Sequence, residues 1–101
     1  MSAKDFARVL REHVRLTMLR AMAEVPAQGS NESTLTQFVN LLHPGTTRDQ
    51  IRSEMTWLGE QGLLRVEEVG ELMVATITKR GVDVAKGHSR IPGVAKPSAE
   101  D

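Results

Sequence analysis

A chain of 101 residues has room for one domain around a single hydrophobic core and none for a second. With 40% hydrophobic and 26% charged residues it reads as an ordinary globular protein, and with three aromatics, Phe6, Phe38 and Trp57, its core must be aliphatic and methionine-rich. The absence of cysteine excludes disulfides, thiolate metal sites and cysteine nucleophiles, and a net charge of zero argues against a protein that clamps nucleic acid by bulk positive charge.

From Lys4 to Glu24 there is neither glycine nor proline, and strong helix formers dominate, so a first helix is predicted there, ending near Pro26. Its apolar residues do not share one stripe. At about 100° per residue, Phe6, Val9, Leu10 and Val14 lie on one side, whereas Leu16, Leu19 and Ala23 lie more than a quarter turn away. One straight helix cannot bury both halves against the same core. Either the helix extends and its first half finds another partner, or it breaks near His13 and folds back. Opposite the first stripe, Lys4, Arg8, Arg11 and Arg15 line up, to stay in water or to lie along DNA.

Ser30 or Asn31 can cap a second, short helix, in which Leu35, Phe38, Val39 and Leu42 repeat with helical spacing. His43-Pro44-Gly45-Thr46 makes a tight connection. Thr47-Arg48-Asp49-Gln50 has the spacing of a capping box opening a third helix, with Ile51, Met55 and Leu58 on its inner face and Gly62 at its end. After Gly62 the hydrophobic period falls from about 3.6 to 2, which predicts a β-hairpin, Leu63 to Val69 and Leu72 to Thr78, turning at Gly70-Glu71. Thr78 can cap a last helix that Gly87 ends. Residues 88–101, with two prolines, one glycine and few large apolar groups, are expected to form an extended or disordered tail after a domain of residues 1–87.

Helix, short helix, tight turn, capped helix and hairpin follow the order of a winged helix-turn-helix, mainly α with a β-hairpin. The run from Thr47 to Leu64, with its buried positions and its Gly62-Leu63 exit, resembles the recognition helix and first wing strand of MarR-like and ArsR-like regulators. With Thr78-Lys79-Arg80-Gly81 to Gly87, and with Arg90-Ile91-Pro92-Gly93-Val94, the chain also resembles a small family of phage proteins of Mu-like transposable phages and prophages, commonly labelled ArsR-like regulators. The likeness runs from about Val14 to Ser98. It implies a winged-helix fold, a DNA-binding role in transcription regulation and a homodimer paired through terminal helices. It does not extend to metal sensing, which in ArsR-type sensors relies on cysteines. His13, His43 and His88 lie in three different elements without ligand spacing, so no metal and no cofactor is expected.

The outward face of the third helix supplies the candidate DNA contacts. Arg52, Ser53 and Thr56 would reach the major groove and Arg48 a phosphate, whereas Asp49, Glu54 and Glu60 would repel phosphate. Residues 31–77 carry three basic against seven acidic groups, and Glu67, Glu68 and Glu71 crowd the hairpin tip beside Arg65. The wing is therefore expected to add little to DNA affinity, and it leaves open a protein-interaction module in phage assembly or DNA packaging, with another phage protein as partner. Trp57 is expected between the third helix and the hairpin. Phe6, Val9, Leu10 and Val14 are the expected homodimer contacts. No catalytic motif is present, so an enzyme is not expected. No apolar run is long enough for a membrane span or a signal peptide, and the expected location is the cytoplasm.

Overall fold

The computed structural model describes residues 2–98. These form α1 (Ala3–Ala23), β1 (Ser30–Asn31), α2 (Glu32–Leu42), α3 (Arg48–Glu60), β2 (Leu64–Val69), β3 (Leu72–Ile77) and α4 (Lys79–Ala85). The fold is mixed α/β, with four helices and a three-stranded antiparallel sheet of order β1-β3-β2 among the described residues, compatible with a winged-helix-like arrangement. No helix of the described residues is long and apolar enough to cross a membrane.

Local chemistry sets the boundaries. Ser2 and Asp5 form a capping box on α1, Thr47 and Gln50 form another on α3, and Asn31 and Thr78 cap α2 and α4 through the amides of Thr34 and Gly81. The hairpin pairs Val69 with Leu72, leaving Gly70 and Glu71 as a two-residue loop. Gly70 has a φ of +62° and Glu71 no positive φ, the signature of a turn with glycine at its first central position. β1 was not foreseen. Its two residues pair with Ala75 and Val74, making β3 the central strand.

Met18, Leu19, Leu35, Val39, Ile51, Met55, Leu58 and Leu63 are fully buried where the helices meet the base of the sheet. α1 is one unbroken helix, so the alternative of a break near His13 is not realised. Its second half is buried, and its first half leaves Phe6 and Leu10 exposed and Val9 half-buried. Val14, grouped with them in the sequence, belongs instead to the chain's own core.

The C-terminal segment is docked. Residues 88–98 contain neither helix nor strand, but they lie on the domain: Val94 is buried, Ile91 and Ala95 pack on the core, and the Ala95 amide donates to the Glu12 carbonyl at 3.1 Å. These apolar groups and this backbone bond help to dock a segment too sparse in hydrophobic residues to show a pattern. Residues 99–101 of the predicted tail lie outside the described residues.

Candidate nucleic-acid interface

The connection between α2 and α3 fixes the direction in which α3 projects. Asn40 on α2 clamps it: its Nδ2 donates to the carbonyls of Thr36 and Thr46, each at 2.8 Å, and its Oδ1 accepts from the Gly45 amide at 2.9 Å. Gly45 takes a φ of +88°, which admits the turn at little steric cost. Thr47 Oγ1 then accepts from the Gln50 amide at 3.1 Å and Gln50 Oε1 from the Thr47 amide at 2.8 Å, so α3 starts with these two amides satisfied reciprocally. Asn40 carried no sequence signal beyond its place in a helical run.

Along α3, Ile51, Met55 and Leu58 face inward, and Arg48, Asp49, Ser53, Thr56 and Glu60 face solvent. Glu54 does not belong to the outer face. It is buried, and Arg15 Nε donates to its Oε1 at 2.7 Å, so it adds no repulsion toward phosphate. The same guanidinium lies 3.9 Å from the centre of the Trp57 ring and donates through Nη1 to the Gly93 carbonyl at 2.9 Å. Trp57 thus stacks under Arg15 and against Gly93, on the side of α1 and the C-terminal segment rather than in the expected place at the hairpin. Arg15 accordingly leaves the basic row of α1, where Arg8 sits near Asp5 and Glu12 at 3.9 and 3.7 Å.

Arg48 and Arg52 converge on one carboxylate, that of Glu32 at the start of α2, which is 1% exposed. Arg48 Nε donates to Glu32 Oε2 at 2.7 Å and Arg52 Nη1 to Oε1, which also accepts the Met73 amide of β3 at 2.6 Å. The Met73 amide above all, helped by the two arginines, holds the Glu32 carboxyl below its usual range despite the opposing effect of burial. Arg52 Nη2 reaches Glu68 on the hairpin at 3.3 Å, and Thr56 Oγ1 donates back to the Arg52 carbonyl at 3.0 Å. Glu67, Glu68 and Glu71 are exposed on the hairpin. The four predicted contact residues therefore share one face of α3, with its two arginines held by a buried acid that sequence reasoning counted only as part of an acidic middle.

Elsewhere, His43 Nε2 shares a hydrogen bond with Thr17 Oγ1 at 2.9 Å, and burial, then the nearby His13, push its pKa down. Among the described residues, no three His, Asp or Glu side chains gather as a metal site. Phe38, Leu41 and Leu42 expose a second apolar surface at the end of α2.

The chain is 37% identical over 89 residues to gp26 of Escherichia phage Mu, an alignment spanning 88% of this chain and 92% of gp26. It is 36% identical over 77 residues to a protein of Haemophilus influenzae strain Rd, spanning 75% of this chain and 74% of that protein. No protein-family profile and no solved structure matches it.

Proposed function

The chain belongs to the family of the phage Mu protein gp26, and we propose that it is a winged-helix protein that binds duplex DNA as a homodimer and regulates phage or prophage transcription in the cytoplasm. The observation that carries this reading is the α3 face. Two arginines, a serine and a threonine stand together on the outer side of a capped helix that follows a clamped turn and precedes a hairpin. An α-helix so presented fits the major groove, where Arg52 can bond guanine and Ser53 and Thr56 can reach bases or phosphates. Arg48 spends only its Nε on Glu32 and keeps its two terminal nitrogens for a phosphate. The resemblance to MarR-like and ArsR-like regulators points the same way. Phe6, Val9 and Leu10, uncovered on the first half of α1, supply the apolar surface for a second copy.

Fluorescence anisotropy with wild type and Arg52→Ala tests the assignment of α3. The variant is expected to lose roughly 1–3 kcal/mol on a preferred duplex and clearly less on random DNA. An equal loss on every duplex would reduce Arg52 to a phosphate contact.

A second reading, a protein-interaction module in phage assembly or DNA packaging, is favoured by a different observation. The hairpin is acidic where DNA-binding wings are basic, and Phe38, Leu41 and Leu42 are exposed together. Failure of the protein to bind any duplex would leave this reading in place.

A further inference from the structure

Glu32 is the first residue of α2, and nothing about that position requires a buried acid. A carboxylate is removed from water at a high cost, which only good partners offset. Here three donors come from two elements of the fold: Arg48 and Arg52, one turn apart on α3, and the Met73 amide on β3. Because β3 anchors the carboxylate from behind, Glu32 cannot follow the arginines outward. It is a fixed post against which two otherwise floppy side chains are aligned.

Its effect on the α3 face is twofold. Arg48, bonded through Nε alone, keeps its plane fixed and both terminal nitrogens unspent. Arg52, bonded to Glu32 through Nη1 and to Glu68 through Nη2, keeps its plane fixed with Nε and the second N–H of each terminal nitrogen unspent, and a fixed plane is what directional bonding to a base edge needs. One negative charge set between two positive ones also cancels part of the attraction that the pair would exert on any phosphate, whatever the sequence. Glu68, reaching Arg52 from the exposed hairpin at 3.3 Å, adds a weaker restraint of the same kind.

We propose that Glu32 is the positioning residue of the DNA-reading face, holding Arg48 and Arg52 for recognition of base edges at the expense of indiscriminate phosphate binding. The inference rests on the DNA-binding reading of α3. It explains why a face that carries both arginines of the helix belongs to a segment that is acidic overall.

The test is Glu32→Gln, which keeps an oxygen for the Met73 amide and removes the charge, compared with wild type on a preferred duplex and on random duplex over a range of salt. Binding to random duplex is expected to tighten, with the log–log salt slope steeper by about one. The advantage of the preferred site is expected to fall by roughly fivefold or more. A merely structural role would move neither the slope nor the ratio, so a folded variant with both unchanged overturns the proposal. Should Glu32→Gln fail to fold, Glu32→Asp decides. It keeps the charge but withdraws the carboxylate from the arginines, so the preferred-site advantage is expected to drop without a change in slope, and an intact advantage overturns the proposal. A wild-type protein that binds no duplex defeats the DNA reading itself, whereas wild-type binding with unchanged variants defeats only the role of Glu32.

Discussion

At Gly81 the chain has no room for a side chain: a Cβ there would lie 2.2 Å from the Leu63 carbonyl oxygen and 2.7 Å from Ile77 Cγ1. Gly81→Ala must push α4 away from the foot of the hairpin, at a cost of about 3 kcal/mol. Gly45→Ala meets nothing within 4 Å and costs about 1 kcal/mol through its positive φ alone. Thermal unfolding followed by circular dichroism should place the first variant well below the second, and equal shifts would contradict the close approach. A second prediction concerns His43, whose folded pKa lies below its ordinary 6.5 because burial, and then His13, disfavour its charged form. Between the folded value and 6.5 the unfolded chain binds a proton that the folded chain does not. Stability should therefore fall as pH is lowered through that window and level off below it, and His43→Gln should remove that component of the pH dependence in denaturant titrations. An unchanged pH profile would contradict it. What the sequence discloses at this scale is local. Thr47 and Gln50 are three apart, and their reciprocal bonds can be read directly, whereas Glu32 meets Arg48 and Arg52 across 16 and 20 residues only after α2, α3 and β3 have assembled.

At the scale of elements, periodicity revealed α2, α3 and the hairpin because each repeats its apolar positions over several residues. β1, with two residues, has no period, and its pairing follows from the position of β3. Residues 88–98 escaped for a related reason, since Ile91, Val94 and Ala95 gain their meaning from the surface of α1 and from Trp57 rather than from their spacing. The apolar stripe of α1 did disclose that its halves serve different surfaces, although the helix continues unbroken where a break is the alternative. The docked segment offers a simple test, because Trp57 is the only tryptophan and lies against Gly93. Ending the chain at Ser89 should shift its emission to the red and lower the melting temperature. Unchanged emission would mean that residues 90–98 do not cover the ring in solution.

At the scale of the molecule, the described residues extend 41 Å along one axis against 29 and 23 Å on the others, with Phe6 and Leu10 of the first half of α1 exposed at the surface. Light scattering is expected to show a dimer at tens of micromolar, and Phe6→Asp combined with Leu10→Asp is expected to give a folded monomer. A wild-type monomer, or a dimer that survives both substitutions, would contradict the pairing surface. The acidic hairpin and the arginines tied to Glu32 leave few free cations on the α3 face, so the log–log salt slope of DNA binding should be shallower than about −6. The central claim, that paired α3 helices read duplex DNA, is tested most directly by selecting wild-type protein against a random duplex library and sequencing the bound fraction. It predicts enrichment of an inverted repeat whose half-sites lie about one helical turn, or a multiple of it, apart. A bound fraction with no enriched sequence, or no bound fraction at all, would contradict it.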